Sequence, residues 1–301
     1  MRRRVGEDGT LENGGDEVSA SVEERIHSIA KELLSRREVD CFIGFQAGSI
    51  RGVSRPCFIR NESEVHRLVW NRNCRSNLTR YLAGMKGKVG VLVKGCDGLT
   101  LAQLIAENQV KRDSVHVVAV ECGGIEAPEV PYSDEPTHEL AEHCKRCRTN
   151  VSPIYDTIIE TGEKRQVEKE IGPWASPDEW LAEFKTCTRC FACIRSCPLC
   201  YCTECALNGS KPWLVSKLGL QGELATFHLV RALHMAGRCS ECGACEMACP
   251  ERIPLTRLYH LVNKKVESEL GYSPGSRFGG EMITKVLIEG QRTKKRASQS
   301  G

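Results

Sequence analysis

Apolar residues recur at intervals of three and four along residues 22–36, which is the spacing of one face of an amphipathic helix. The residues of this face are Ile26, Ile29, Ala30, Leu33 and Leu34. The capping-box sequence Ser21-Val-Glu-Glu24 precedes them and marks the start of the helix. We therefore predict an amphipathic helix within residues 21–38, packed on its own domain, after a polar and disordered tail over residues 1–20.

Strand and helix signals alternate in the next stretch of the chain. Three short apolar runs predict buried strands, at Val39–Phe45, Lys88–Lys94 and Val115–Val120. Between the second and the third run, Gly98–Asn108 carries leucines at helical spacing. A strand, a helix and a strand joined by short connections form a βαβ unit, so residues 39–148 are predicted to fold as an α/β domain with a parallel sheet.

A second, mostly α-helical domain is predicted over residues 176–272. Ser176-Pro-Asp-Glu179 is a capping box with proline at the first helical position, and the helix that it opens leads to Cys187. Another helix is predicted over Gly222–Ala236. Its apolar positions are Leu224, Phe227, Val230 and Leu233. A further helix follows Pro254 and is expected to end at Gly271.

Two segments lie outside these domains. Residues 149–175 are weakly patterned, which predicts a linker, and residues 273–301 form a basic tail of the kind that is usually solvated. The chain has no run of about 18 apolar residues, and no apolar stretch follows its N-terminal arginines. Neither a transmembrane segment nor a signal peptide is therefore predicted, and the expected location is cytoplasmic.

The composition adds one strong signal to this picture. The chain has 301 residues, 41% of them hydrophobic, and a net charge of +3, so a buried core is expected and a nucleic-acid partner is not. Eighteen residues are cysteine, and eleven of these lie between Cys187 and Cys249. In a reducing compartment, so many thiols more often bind metal than form disulfides.

Two cysteine runs have the same spacing. They are Cys187-x2-Cys190-x2-Cys193-x3-Cys197-Pro198 and Cys239-x2-Cys242-x2-Cys245-x3-Cys249-Pro250. In bacterial ferredoxins with this spacing, three thiolates wrap around one 4Fe–4S cluster and the fourth cysteine ligates the other cluster. The first cluster set is therefore predicted to be Cys187, Cys190, Cys193 and Cys249. The second cluster set is predicted to be Cys239, Cys242, Cys245 and Cys197.

Structural zinc is the alternative for these eight cysteines, although zinc sites usually combine two C-x2-C pairs. Four basic residues sit among the predicted ligands: Lys185, Arg189, Arg195 and Arg238. Positive charge beside an anionic cluster would raise its reduction potential. The other interpretation of these residues is that they are solvated side chains near a loop.

Ten cysteines remain outside the two cluster sets, and eight of them are candidate ligands of further redox sites. These eight are Cys200, Cys202, Cys205, Cys74, Cys96, Cys122, Cys144 and Cys147. The first three follow Cys197 within eight residues, and could ligate an additional cluster or form a redox-active pair. The pair Cys144-x2-Cys147 is typical of zinc, of a cluster or of a redox dithiol. Cys41 and Cys57 are expected to be structural.

Two family resemblances follow from these residues. Gly237–Leu255 resembles the helical two-cluster domain found in iron–sulfur subunits of heterodisulfide reductases and succinate dehydrogenases, a likeness that covers residues 177–270. The other is to the beta-subunit family of deazaflavin-dependent hydrogenases and formate dehydrogenases, over residues 39–160. It is carried by Lys94-Gly-Cys-Asp97, Ala102–Gln109, Val120-Glu-Cys-Gly-Gly124, His143-Cys-Lys-Arg-Cys-Arg148 and Pro153-Ile-Tyr-Asp156.

The second resemblance implies a third 4Fe–4S cluster, with ligands drawn from Cys74, Cys96, Cys122, Cys144 and Cys147. Members of this family also carry FAD and a site for the deazaflavin coenzyme. The chain has no G-x-G-x-x-G, and it is short where the family's flavin-bearing portion lies. The sequence itself therefore gives no support for FAD or deazaflavin binding.

These observations predict an iron–sulfur electron-transfer subunit of a multi-subunit cytoplasmic oxidoreductase in anaerobic metabolism. Its partners would be the catalytic and electron-transfer subunits of a hydrogenase, a formate dehydrogenase or a heterodisulfide-reductase-like enzyme. No hydrolytic triad, P-loop or H-E-x-x-H is present, and no catalytic residue is predicted. Two alternatives stay open: a flavin-bearing subunit that reduces a deazaflavin or a nicotinamide, and a structural zinc protein.

Overall fold

The structure is a computed structural model. It describes residues 20–50, 52–127, 139–163, 167, 171–208 and 221–275. Of the tail predicted over residues 1–20, only residue 20 is among the described residues. The basic tail lies outside them from residue 276 onward.

A five-stranded sheet forms the first part of the fold. Its strands are β1 (Cys41–Ala47), β2 (Ser54–Ile59), β3 (Val89–Val93), β4 (Val115–Val120) and β5 (Thr157–Ile159), arranged in the order β2-β1-β3-β4-β5. The pairs β1–β3, β3–β4 and β4–β5 are parallel, and β2 runs antiparallel to β1. Every residue of β3 is buried, as is typical of a central parallel strand. The predicted α/β sheet of mostly parallel strands is thus confirmed.

Two of these strands, β2 and β5, are not predicted from the sequence. β2 lies at the edge of the sheet and contains Pro56, which an edge strand tolerates because half of its backbone groups need no partner. β5 has only three residues, and it pairs with β4 through Val118 and Thr157. It lies inside the segment 149–175 for which the sequence predicts a linker, so the sheet extends beyond residue 148.

Three helices accompany the sheet: α1 (Val22–Ser35), α2 (Gly95–Ala106) and α3 (Glu142–Lys145). The capping box of α1 is formed as predicted, with the Glu24 backbone N–H donating to Ser21 Oγ at 3.2 Å. α2 begins at Gly95 rather than Gly98, because the Asp97 carboxylate accepts from the Lys94 backbone N–H at 3.1 Å and caps the earlier turn. Cys96 therefore lies in the first turn of a helix.

The second part of the fold is helical. It contains α4 (Pro177–Phe184), α5 (Ala192–Ser196), α6 (Gln221–Met235), α7 (Ala244–Met247) and α8 (Leu255–Leu270). α6 packs on α4 and α8, and α5 packs on α7. Gly271 ends α8 in the left-handed conformation, at a φ of 58°. No helix in the described ranges is long and apolar enough to cross a membrane.

The buried face of α6 differs from the predicted one. The sequence predicts Leu233 on the apolar face, but this side chain is 69% exposed. Leu224 and Met235 of α6 are buried. His228 and Arg231 lie between them at helical spacing and are also buried. The buried face of α6 thus combines apolar residues with two polar side chains, and these two face the cavities that the cysteines line.

α2 connects the sheet to the helical part. Arg238, after α6, donates to the Glu107 carboxylate at 2.5 and 2.7 Å. Thr100 and Ser240 share a hydrogen bond of 2.6 Å between their hydroxyl groups. Buried apolar residues of both parts belong to one continuous core. The helical part is therefore held directly against the carboxyl end of β3, where α2 begins.

Candidate metal centres

The first cluster set surrounds one cavity. All four of its members, Cys187, Cys190, Cys193 and Cys249, line this cavity together with Phe227 and His228. Burial raises the pKa of Cys193, Arg231 lowers it, and the other three thiols of the set raise it again. The four thiols thus line one cavity and interact electrostatically.

The second cluster set surrounds a separate cavity. Its members Cys197, Cys239, Cys242 and Cys245 line it together with Arg231 and Tyr259. Burial raises the pKa of Cys239, and the thiols of Cys245, Cys242 and Cys197 contribute to the same shift. Burial likewise raises the pKa of Cys242 and Cys245. Ionising these three thiols is therefore unfavourable in the absence of a cation, and bound iron would remove that obstacle because it is held by thiolates.

The two cysteine runs share a backbone conformation. Arg189 and Glu241 hold equivalent positions and have left-handed φ angles of 54° and 55°. Phe191 and Gly243 are also equivalent and left-handed, at 58° and 72°. The Glu241 N–H donates to Cys239 Sγ at 3.4 Å. Backbone that alternates between right-handed and left-handed conformations turns its N–H groups inward and forms a concave site for an anionic centre.

The short helices α5 and α7 explain why each set takes one member from the other run. Cys197 follows directly after α5, and Cys249 lies two residues beyond α7. Because α5 packs on α7, each helix carries its last cysteine across to the other run's cavity. The geometry brings together the same two sets that the spacing predicts, and their occupation by iron stays a prediction.

Cys200, Cys202 and Cys205 line a cavity of about 470 Å³. Four arginines line it as well: Arg80, Arg195, Arg231 and Arg238. The Cys200 thiol hydrogen bonds to Cys197, which lowers the pKa of Cys197 and raises that of Cys200. Cys197 is thereby favoured as the thiolate of this pair, in keeping with its place in the second cluster set.

A third group of cysteines lies at the carboxyl ends of β3 and β4. Cys96 interacts electrostatically with Cys147 and with Cys242 of the second cluster set. The Cys122 N–H donates to the Asn150 carbonyl at 2.9 Å, and Cys144 Sγ accepts from the Ile125 N–H at 3.4 Å. These contacts relate Cys96 to Cys147 and Cys242, and they join the segment that carries Cys122 to the segment that carries Cys144 and Cys147.

Cys74 is the fifth possible ligand that the sequence predicts for a third cluster, but its thiol hydrogen bonds within its own loop. Its Sγ accepts from the Asn71 N–H at 3.4 Å, and it is fully buried. Together with Cys122 it lines a cavity of about 290 Å³. Cys41 and Cys57 are buried in β1 and β2. Burial is also the main cause of their raised pKa values, as expected for structural thiols.

The sequence analysis missed two polar side chains, His228 and Arg231, that face the cluster cavities. His228 is buried between Phe184 and Phe227, and neither of its ring nitrogens has a hydrogen-bond partner among the described residues. Burial lowers the pKa of His228 to about 3, so the imidazole is neutral at pH 7. Arg231 lines the second cavity, and its guanidinium donates to the backbone carbonyl of Cys193, a member of the first cluster set.

Arg238 is one of the four basic residues expected near the clusters, but its main partner is a carboxylate. It forms an ion pair with Glu107, and its guanidinium lies over the Tyr201 ring. The Arg195 carbonyl accepts from Arg80 at 2.9 Å, and Arg189 lines the first cavity. Arg231, which the sequence analysis did not single out, is the most deeply buried arginine of the helical part's described residues.

Structural zinc, the alternative to iron–sulfur clusters, requires a different arrangement of the cysteines. Zinc requires its donors at about 2.0–2.3 Å from one point. In the part of the chain that the structure describes, no group of three or more His, Cys, Asp or Glu side chains is arranged to hold one ion. The members of each cluster set line one cavity, an arrangement that is compatible with a polynuclear centre.

Known proteins give an independent comparison. The chain is 23% identical to the F420-dependent formate dehydrogenase subunit beta of Methanocaldococcus jannaschii over an alignment of 348 positions, which covers 83% of this chain and 91% of that protein. It therefore resembles formate dehydrogenase beta subunits. This confirms the resemblance to the beta-subunit family that the cysteine and glycine motifs indicate, and the likeness extends well beyond residues 39–160. No protein-family model matches the chain.

A second beta-subunit relative is more similar over a shorter stretch. The chain is 39% identical to the F420-dependent formate dehydrogenase 1 subunit beta of Methanococcus maripaludis over 98 residues. This match covers 33% of the chain and 24% of that relative. Both relatives are named as subunits of an oxidoreductase.

Proposed function

We propose that this chain is the iron–sulfur electron-transfer subunit of a multi-subunit oxidoreductase and holds two 4Fe–4S clusters in its helical part. One observation carries the proposal: each predicted set of four cysteines surrounds a single cavity, although its members come from both runs. The similarity to formate dehydrogenase beta subunits supports it further. The partner would be the catalytic subunit of a formate dehydrogenase, a hydrogenase or a heterodisulfide-reductase-like enzyme.

Clusters of this type would carry one electron at a time. Nearby charge, hydrogen bonds and burial set their reduction potentials. The chain's own residues have three tasks in this function. The eight thiolates hold the irons, and backbone N–H groups such as that of Glu241 donate to the ligand sulfurs. Phe227 and Tyr259, which are both buried, exclude water from the two cavities. No substrate chemistry is required of this chain.

We further propose a third 4Fe–4S cluster, held by Cys96, Cys122, Cys144 and Cys147. Its support is that Cys96 and Cys122 follow the carboxyl ends of the parallel strands β3 and β4, where ligands of α/β sheets bind, and that the segment carrying Cys144 and Cys147 hydrogen bonds to the segment after β4. The electrostatic interaction between Cys96 and Cys242 supports a position of this proposed site beside the second cluster set. The three sites would then form one row, from the sheet into the helical part, along which electrons pass.

Cys200, Cys202 and Cys205 are proposed as ligands of an additional cluster. They line one cavity, and the arginines around it would offset the negative charge of a thiolate-bound cluster. Replacing Cys202 and Cys205 by serine should then lower the iron content without changing the signals of the two dicluster sites. An unchanged iron content in this double variant would leave these thiols without a role as ligands.

Iron and sulfide analysis of the full chain, reconstituted without oxygen, tests the whole proposal. Two clusters require about eight irons and about eight sulfides per chain, and three clusters require about twelve of each. Cys242→Ala should remove about four irons and one reducible signal. Cys57→Ala, which replaces a buried cysteine of β2, is the matched control and should leave the iron content unchanged. Zinc without sulfide would reject the proposal.

A flavin-bearing subunit is the second candidate function. Two observations favour it: the relatives are F420-dependent, and a cavity of about 290 Å³ lies at the carboxyl ends of β3 and β4, lined by Lys94, Cys122 and Gly123. A chain purified without oxygen that releases FAD on denaturation would support this function. A reconstituted chain that takes up iron but no added FAD would argue against it.

A further inference from the structure

Arg231 is a cation in the interior of the helical part. Its side chain is 2% exposed. Its guanidinium donates to the Cys193 carbonyl at 2.9 Å and to the Tyr259 hydroxyl, and it lies 4.0 Å from Cys200 Sγ. The remaining nitrogen, Nε, is buried and has no hydrogen-bond partner among the described residues. The side chain therefore makes fewer bonds than a guanidinium can make.

The missing partner of Arg231 is an anion. Within the described ranges, no carboxylate oxygen lies within 4.0 Å of its guanidinium, although a buried charge is strongly unfavourable unless it is paired. The groups that interact with it electrostatically are Tyr259 and three cysteines, Cys245, Cys197 and Cys193. Cys193 belongs to the first cluster set, and the other two belong to the second. Arg231 thus contacts the first set at the Cys193 carbonyl and lines the cavity of the second set.

We propose that Arg231 is the shared internal counter-charge of both clusters and raises the reduction potential of each. This inference rests on the proposed function, because it assigns the thiolate-bound clusters as the missing anion. Reduction adds one negative charge to a cluster, so a nearby cation stabilises the reduced form more than the oxidised form. Burial strengthens the effect, since little solvent lies between the charge and either cavity.

His228 does not supply this charge, although it lies on the same face of α6. Its imidazole is neutral at pH 7, because burial and the nearby Arg231 both disfavour its protonated form. Arg231 is a positioning residue in this proposal: it acts on the clusters through charge and does not ligate iron. Its effect should therefore follow the charge of the side chain and not the particular hydrogen bonds that it makes.

The experiment is a redox titration of the full, iron-loaded chain, followed by electron paramagnetic resonance. In Arg231→Gln, the ratio of reduced to oxidised cluster at a given applied potential should fall about tenfold for both clusters, a downward shift of about 59 mV for a one-electron couple. Arg231→Lys keeps the charge and should retain most of the original potentials. Unchanged potentials in Arg231→Gln would overturn the proposal.

Two controls separate charge from structure. Tyr259→Phe removes the hydroxyl that accepts from Arg231 but leaves the charge in place, so both potentials should stay close to those of the unmodified chain. Lys265→Gln removes one positive charge from the exposed side of α8, where solvent screens it, and should also have no effect. A shift in Tyr259→Phe as large as that in Arg231→Gln would show that the hydrogen bond, and not the charge, is responsible.

If Arg231→Gln does not retain its clusters, the iron content of the variants tests the proposal instead of the potentials. The proposal then requires Arg231→Lys to retain the full iron content while Arg231→Gln loses it. Loss of iron in both variants would overturn the proposal, since the charge alone would not be sufficient. If the unmodified chain takes up no iron and sulfide, the proposed function itself fails, and that result is visible before any Arg231 variant is made.

Discussion

Gly243 is a residue at which the second cysteine run depends on the absence of a side chain. Its backbone is left-handed, at a φ of 72°, and a Cβ at this position would overlap the imidazole of His143. The equivalent residue of the first run is Phe191, which is also left-handed. The conformation alone therefore does not require glycine, and the contact with His143 beside Cys144 is the specific constraint.

Gly243→Ala should accordingly destabilise the iron-loaded chain. The left-handed conformation costs an alanine about 1–2 kcal/mol, and the overlap with His143 adds to this. The expected result is a lower urea midpoint of unfolding without a change in the slope of the transition. In the double variant Gly243→Ala, His143→Ala, part of the loss should be recovered because the overlap is gone. Equal losses in the single and the double variant would show that His143 plays no part.

At the scale of elements, local signals account for most of the fold. Capping boxes and helical repeats predict α1, α4 and α8 because each depends on residues within one or two turns. β2 and β5 are not predicted, because each becomes a strand only through tertiary contacts, β2 with β1 and β5 with β4. His228 and Arg231 are missed for the same reason: only the packing of α6 on the cysteine cavities shows which of its faces is buried.

The crossing of ligands between α5 and α7 leads to a prediction at this scale. Cys249→Ser should remove the same cluster signal as Cys190→Ser, although Cys249 belongs to the second run in sequence. Cys197→Ser should instead match Cys242→Ser. The spectra of the four variants, recorded after anaerobic reconstitution, should therefore fall into these two pairs. If Cys249→Ser matched Cys242→Ser, each run would hold its own cluster and the crossed assignment would be wrong.

At the scale of the whole molecule, α2 joins the sheet to the cluster-bearing helices. Its Cys96 belongs to the third group of cysteines and interacts electrostatically with Cys242 of the second cluster set. At its other end, Glu107 accepts hydrogen bonds from Arg238 and from the Tyr201 hydroxyl, at 2.7 Å to the latter. Electron transfer between sites depends on fixed separations, so the ion pair of Glu107 and Arg238 serves to hold the proposed row of clusters in register.

Glu107→Gln should weaken this attachment, with a pH dependence of defined sign. Burial raises the pKa of Glu107, but hydrogen bonds from Arg238, Gln103 and Tyr201 outweigh it and hold that pKa below its ordinary value of 4.5. The carboxylate therefore contributes its full stability above about pH 4.5 and loses it as the pH falls through the folded-state pKa. The variant should lose about 1–3 kcal/mol at pH 7, reduced by the partial exposure of Arg238.

Urea unfolding of the iron-loaded chain between pH 8 and pH 5.5 measures this effect. The difference in midpoint between Glu107→Gln and the unmodified chain should be constant over that range, because the ionised Glu107 does not titrate there. Glu269→Gln, which alters an exposed ion pair with Lys265 on α8, is the matched control and should change the midpoint little. A difference that already shrinks between pH 8 and pH 6 would assign the attachment to another titrating group, since a carboxylate with a lowered pKa keeps its charge throughout.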